Sequence, residues 1–224
     1  MSFPNRSARL HEARYLLLLG AICLGLSFFR VQYTHSRAFI FLNWNLFLAV
    51  IPWILSSITV LNEKWRSNKL LVAGTLFSWL VFFPNAPYIL TDLFHLSAGA
   101  AMPIWFDLML ILSFAWTGLL AGFMSLWDIE QILQQHLAKR FIPFVSIFLL
   151  FASGFGIYLG RYLRWNTWDI LHHPNGLIRD IAHRFLHPFD HPRTWGVTFF
   201  TGLFLSLVYI SFRMVRRRMI APVK

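Results

Sequence analysis

Two arginines near the end of an apolar segment, Arg161 and Arg164, have the type and spacing to bind an anion. On a helix, side chains three positions apart share a face, and a guanidinium group can bind a phosphate or carboxylate through two parallel hydrogen bonds. A plainer interpretation is that both side chains extend toward water at a helix C-terminus, where the helix dipole favours cations. We predict an anion-binding role for this pair, and we assign the polar residues that follow it, Asn166 and Asp169, to the same ligand-binding site.

Asn85, Asp92 and Asp107 lie near the ends of other apolar segments and are further candidates for the same site. Polar and ionisable groups beside long apolar segments are costly to place, which makes them functional-site candidates. Asp107 is about one turn into a predicted helix, where it could complement the positive helix end. Pairing with Arg161 and carrying a proton are the alternatives for this carboxylate.

Acid–base or metal chemistry would require a cluster of carboxylates and histidines, and the best set in this chain is Asp92, His95 and Asp107. Asp92 and His95 are three positions apart, a spacing that can serve a metal ion. However, most of the nine histidines fall in predicted loops or on exposed helix faces, and no apolar segment carries a histidine pair at its centre. We predict no bound metal and no cofactor. The sequence leaves open whether the protein is an enzyme.

The elements that must position these residues are membrane helices. The chain is 57% hydrophobic and only 13% charged, whereas soluble domains are about 25% charged. Its apolar blocks approach or exceed the roughly 20 residues needed to cross a bilayer. The sequence therefore predicts an all-α fold, a polytopic helical membrane bundle forming a single domain over residues 1–224. Six transmembrane helices are predicted over residues 14–29, 38–61, 70–83, 103–127, 143–162 and 194–212.

The third of these helices is too short to cross a bilayer alone. Fourteen residues extend about 21 Å, compared with a hydrocarbon core of about 30 Å. The apolar stretch 84–90 that follows contains two prolines, which end the helix. Backbone without regular hydrogen bonds survives at membrane depth only where protein or a wet cavity covers it. We expect this stretch to pack inside the bundle, and it could be helical, re-entrant or interfacial.

The distribution of basic residues predicts the orientation in the membrane. The termini and two of the loops, on one side, hold 13 Lys and Arg, whereas the other side holds 7. Cytoplasmic loops carry the excess of these residues, so tails 1–13 and 213–224 should be cytoplasmic and the polar candidates should face outward. Basic residues scattered over helix ends do not form a nucleic-acid-binding surface.

The loop between the fifth and sixth helices contains an amphipathic segment at 177–186. Leu177, Ile181 and Phe185 fall on one helical face, and His183 and Arg184 fall on the opposite face. A pattern of this kind is typical of a helix that lies in the membrane interface. We therefore predict an interfacial helix between the fifth and sixth transmembrane helices, with Arg184 on its solvent-exposed side.

Four segments resemble one family closely: 44–49 (WNLFLA), 83–93 (FPNAPYILTDL), 114–118 (FAWTG) and 154–169 (GFGIYLGRYLRWNTWD). The chain is similar to the predicted bacterial membrane proteins called domain of unknown function 1361. The resemblance covers nearly all of the chain beyond the N-terminal tail. It implies a location in the bacterial inner (plasma) membrane and does not imply any activity.

These observations favour a multi-pass membrane protein with a polar, arginine-containing site at its outer face. Its partners would be the lipid bilayer and an anionic lipid or lipid-linked envelope precursor. One alternative is an assembly or scaffold protein that docks another membrane protein and has no chemistry of its own. Another is a component of a transporter, for which a broken helix is typical.

Overall fold

The structure is a computed structural model that describes residues 3–97 and 101–220, with side chains described as far as residue 216. The described residues are helical, with no β-strand among them. The α-helices are α1 (Arg6–Thr34), α2 (Phe41–Leu61), α3 (Glu63–Ser67), α4 (Lys69–Phe82), α5 (Asn85–Tyr88), α6 (Ile104–Leu133), α7 (Ile142–Tyr162), α8 (Asp169–His172), α9 (Pro174–Leu186) and α10 (Pro192–Ile220). Short 3-10 helices cover Ile89–His95, Lys139–Phe141 and Pro188–Asp190.

Six segments among the described residues are long and apolar enough to cross a membrane, as predicted. They are Arg6–Thr34, Phe41–Leu61, Lys69–His95, Ile104–Leu133, Lys139–Tyr162 and Pro192–Arg216. Large apolar side chains on these segments are exposed, for example Leu17, Phe77 and Phe148. Continuous exposed apolar surface of this kind is expected where lipid, and not water, surrounds the protein. The chain is therefore a multi-pass membrane protein.

Three of the helices are longer than predicted. α1 begins at Arg6 because the Asn5 side chain accepts a hydrogen bond from the Ala8 backbone N–H and caps the helix. α6 continues to Leu133, and α10 continues to Ile220. Much of the two predicted tails is therefore helix. Their outermost residues, 1–2 and 221–224, lie outside the described part of the chain.

The chain forms two compact units, Met1–Ile142 and Pro143–Lys224. In the first unit, buried apolar side chains from α1, α2, α5 and α6 make one core. In the second unit, α7 and α10 approach closely at two glycines. A Cβ on Gly154 would lie 2.8 Å from the Thr198 carbonyl oxygen, and one on Gly202 would lie 2.6 Å from the Phe151 ring.

The proline-broken stretch after α4 is helical, one of the three conformations that the sequence left open, and it packs inside the first unit. α5 leads directly into the 3-10 helix Ile89–His95. Ala86 of α5 is fully buried against α6. A Cβ on Gly118 of α6 would lie 3.0 Å from the Ala86 carbonyl oxygen, and a Cβ on Gly122 would lie 2.7 Å from the Ala86 Cβ. The two glycines thus let an irregular backbone approach α6, the usual use of small residues four apart in membrane helices.

Candidate functional site

Asp107 is part of a buried ion pair with Arg30 of α1. Arg30 Nε lies 2.6 Å from Asp107 Oδ1 and Nη2 lies 3.0 Å from Oδ2, so both carboxylate oxygens accept hydrogen bonds. Arg30 also donates to the Ala38 carbonyl oxygen, and its guanidinium lies 4.7 Å from the centre of the Phe39 ring. Each side chain is about 2–3% exposed. The pair joins α1 to α6, and Arg30 is absent from the residues predicted for the site.

The amide residues of α2 lie near the same end of the first unit and bind neighbouring elements. Asn45 donates to Asp92 Oδ2 at 3.0 Å, and Asn43 donates to the Ser27 hydroxyl of α1 at 3.1 Å. Asp92 is 1% exposed. Asn85 is half-buried and donates to the Phe82 carbonyl oxygen at the end of α4. Amides that link membrane helices in this way contribute to helix association.

The catalytic candidates do not form a shared acid–base cluster in the described contacts. Asp92 is bonded to Asn45 and Asp107 to Arg30. His95 is exposed, and its ring packs 5.4 Å from that of Phe41. Among the described residues, no group of three or more His, Cys, Asp or Glu side chains is arranged to hold a metal ion.

A second buried ion pair joins the opposite ends of α1 and α6. Arg9 is paired with Asp128, whose other oxygen accepts a hydrogen bond from Ser56 at 2.8 Å. Arg9 also donates to Glu12 at 2.8 Å. Arg9 and Arg30 are 21 positions apart, and so are Asp107 and Asp128. At 1.5 Å per residue the two pairs are about 31 Å apart, close to the thickness of a hydrocarbon core.

This matched spacing is the signal that could have revealed the pairs from sequence. Two antiparallel helices that carry arginines and aspartates at equal intervals can form an ion pair at each end. Charges at the edges of a bilayer are cheaper to place than charges at its centre. The pairs therefore fix the alignment of α1 along α6.

In the second unit, Arg161 and Arg164 lie at the C-terminal end of α7. Arg161 is in the last turn and half-buried. Arg164 is exposed and has a left-handed backbone conformation, with φ 61°. The Trp165 backbone N–H donates to the Leu159 carbonyl oxygen at 3.1 Å, which closes the helix end. This position is usually glycine, because a Cβ there costs about 1–2 kcal/mol.

The polar residues after Arg164 build the turn that leaves α7. Asp169 Oδ2 accepts hydrogen bonds from the Asn166 backbone N–H at 2.7 Å and from the Asn166 amide at 3.3 Å. Trp165 donates its indole N–H to Asp180 of α9 at 2.8 Å. The residues predicted as ligands here therefore fix the loop that carries the exposed Arg164 guanidinium.

Two more arginines lie over tyrosine rings of α7. Arg184 of α9 lies 5.8 Å from the Tyr158 ring, and Arg193 of α10 lies 5.7 Å from the Tyr162 ring. Arg193 is exposed. The prediction that Arg184 lies on the solvent face of α9 is wrong, because its side chain packs over Tyr158 and only 8% of the residue is exposed.

Comparison with known proteins places the chain in a family. The family model described as Protein of unknown function (DUF1361) matches residues 44–208. The chain belongs to this family. No curated protein and no solved structure matches it.

The match to the DUF1361 family includes most of the features described above. It covers the segment from α2 to most of α10, with Asp92, Asp107, Arg161 and Arg164. It begins at residue 44, so α1 with Arg9 and Arg30 lies outside the matched region. The family description assigns no activity, and the ligand roles of the predicted residues depend on the geometry alone.

Proposed function

We propose that this protein binds an anionic lipid or a lipid-linked envelope precursor, with Arg161 and Arg164 as the contacts for the anionic group. The observation that carries the proposal is the conformation of Arg164. A non-glycine residue in the left-handed region is uncommon, and such strain often occurs at functional sites. Here it presents an exposed cation beside the end of a membrane helix.

The charges around Arg164 support the same proposal. Within the described second unit, no acidic side chain forms an ion pair with Arg164, whereas Arg30 and Arg9 of the first unit are each paired with an aspartate. A guanidinium free of a carboxylate partner is available to a phosphate, which it can bind in a bidentate manner. Asn166 and Asp169 would position it through the turn they form.

For Asn85, Asp92 and Asp107 the contacts favour a supporting role. Each of these side chains is bonded to a neighbour within its own unit. We propose that they stabilise the fold of the first unit and do not themselves provide the ligand's main contacts. An anionic ligand would also be repelled by a carboxylate at close range.

The test is lipid retention by a double variant, Arg161→Gln with Arg164→Gly. Glycine suits the left-handed backbone, so a loss of lipid would not be due to strain in the turn. Anionic lipid that co-purifies with the protein in mild detergent should fall by about tenfold. Arg179→Gln removes an exposed arginine from α9 and is the matched control. Unchanged lipid occupancy in the double variant would reject the proposal.

We further propose that the protein lies in a bacterial inner membrane with both termini in the cytoplasm and α9 in the outer interface. The asymmetry of basic residues supports this orientation. Single cysteines at Ser97, Asn175 and Ser67, each in a Cys23→Ser background, test it, because these three positions are exposed. A membrane-impermeant thiol reagent should label the first two on cells with a permeabilised outer membrane and should not label Ser67→Cys. Labelling of Ser67→Cys alone would invert the topology.

A second candidate function, docking of another membrane protein, is favoured by one observation. Phe189 lies in the short 3-10 helix before α10, and 94% of its surface is exposed. Phe189→Ser should then remove a stoichiometric partner after mild extraction and leave bound lipid unchanged. A partner retained by this variant would count against docking at this surface.

A further inference from the structure

The second unit contains an apolar groove of about 460 Å³ along one face of α7. Its aromatic lining consists of Phe148, Phe151, Phe155, Phe185, Trp195 and Phe199. Phe155 packs 5.6 Å from Phe185 and 6.2 Å from Trp195. The lining is almost free of polar surface, so the groove suits a hydrocarbon chain and not a polar solute.

The groove leads toward cationic side chains. Tyr158 and Tyr162 follow Phe155 along the same face of α7 at helical spacing, and Arg184 and Arg193 lie over their rings. Arg161 is six residues beyond Phe155, about 9 Å along the helix. Apolar lining at one depth and cations near the helix end form the pattern that complements an amphiphile with an anionic head.

The wall formed by α10 adds polar atoms at the junction. Trp195 Nε1 and Thr198 Oγ1 belong to groove-lining residues and have no hydrogen-bond partner among the described residues. Arg184 Nε is also buried without a partner. The Nη1 atom of the same guanidinium donates to the Asp180 carbonyl oxygen at 2.6 Å and lies 3.5 Å from the Asp180 carboxylate. Buried donors without partners are rare, so these atoms set the junction apart from the apolar lining of the groove.

We infer that the groove holds a hydrocarbon chain of a phosphate-bearing lipid. The phosphate lies at the C-terminal end of α7, which carries Arg161 and where Arg193 lies over Tyr162, and the chain extends down α7 past Phe155 to Phe148. This inference rests on the proposed function, since it assigns a tail site to the lipid whose anionic group contacts Arg161 and Arg164.

The experiment uses the full chain in phosphatidylcholine nanodiscs that contain a small fraction of phosphatidylglycerol with a photoactivatable acyl chain. Mass spectrometry then maps the labelled peptides. Adducts should concentrate at 148–155 and 195–199, and should exceed those of a matched phosphatidylcholine probe by about tenfold. Equal labelling by both probes would identify ordinary bilayer lipid and overturn the inference.

Ala152→Trp tests the groove itself, because Ala152 lines it and a tryptophan there would fill it. Labelling of the groove should fall by about tenfold. Leu207→Trp, at an exposed position of α10 that does not line the groove, is the matched control and should leave labelling unchanged. Both variants should keep a cooperative thermal transition, which separates a filled groove from a misfolded protein.

The two proposals can fail separately. If Ala152→Trp leaves labelling unchanged while Arg161→Gln with Arg164→Gly releases anionic lipid, the inference of a lipid chain in the groove is overturned and the proposed anion site is supported. If the Ala152→Trp variant loses labelling and the arginine variant keeps its lipid, the groove is supported and the contacts at Arg161 and Arg164 are rejected. Displacement of the lipid probe by glycerol phosphate would show that a free phosphate suffices, which would also overturn the groove.

Discussion

Arg9 and Arg30 of the first unit and Arg164 and Arg193 of the second have opposite surroundings. In the first unit, Arg9 and Arg30 are buried, and each is paired with an aspartate of α6. In the second unit, Arg193 is exposed over the Tyr162 ring and Arg164 is exposed on a left-handed turn, and neither has a carboxylate partner among the described residues. Arg184 is the exception, because it is buried and lies 3.5 Å from the Asp180 carboxylate. The same residue type therefore joins helices in one unit and presents positive charge in the other.

The difference shows that the role of an arginine near a membrane helix end can be inferred only when its partner is known. A buried guanidinium paired with a carboxylate has little capacity left for a ligand, and its removal leaves an isolated buried charge. An exposed guanidinium without a carboxylate contributes little to stability and is available for binding. Stability measurements and lipid measurements should therefore separate the two groups.

The largest effect should come from breaking one buried pair. Asp107→Leu leaves Arg30 buried without a carboxylate and should lower the free energy of unfolding by about 3–5 kcal/mol. The double variant with Arg30→Met removes both charges and should recover most of this loss. Denaturant or thermal unfolding in detergent measures both variants. Equal stability of the single and double variants would contradict a structural role for the pair and would return Asp107 to the ligand candidates.

A smaller loss should follow from disturbing the close packing beside these pairs. Gly122→Ala adds a Cβ that would lie 2.7 Å from the Ala86 Cβ. Overpacking of this kind lowers the free energy of unfolding by about 1–3 kcal/mol. Gly74→Ala in α4 is the matched control, because no atom lies within 4 Å of its added Cβ. If both variants unfold alike, the packing of α5 against α6 does not limit stability.

Arg164→Gly should change stability in the opposite direction. Glycine relieves the left-handed strain, so the free energy of unfolding should rise by about 1 kcal/mol while anionic lipid is lost. This combination distinguishes a strained functional residue from a structural one. A destabilised Arg164→Gly variant would place Arg164 with Arg9 and Arg30 as a structural residue.

Arg193→Gln should have the smallest effect on stability. The side chain is exposed and lies over Tyr162 without a carboxylate partner among the described residues. We expect a change within about 0.5 kcal/mol in the same unfolding assay. A loss as large as that of Asp107→Leu would remove the contrast between the two units.

Much of the membrane architecture follows from sequence alone. The length and hydropathy of the apolar blocks predicted six spans, and the structure has six such segments among its described residues. The position of α9 was predicted from its amphipathic spacing, although its place in the interface stays a prediction. Helix ends were less predictable. α1 begins earlier than predicted because of the Asn5 cap and a buried ion pair, which hydropathy does not detect.

The candidate site was only partly predictable. The pattern of arginines and polar residues at the end of α7 predicted cations there, of which Arg164 is exposed and Arg161 half-buried, and Asp92 and Asp107 were recognised as costly charges. Their partners were missed. Asp107 is paired with Arg30, 77 positions away in the chain, and Asp92 with Asn45. Arg184 was predicted on a polar face, yet it is buried over Tyr158.

The sequence by itself determined the environment of this protein, because transfer of each apolar block into lipid depends on composition and length. It also determined where the broken segment and the exposed arginines occur. Only the tertiary structure decided which charges are neutralised, since an ion pair depends on the distance between two side chains in different helices. That pairing separates the arginines that hold α1 against α6 from those that remain for an anionic ligand.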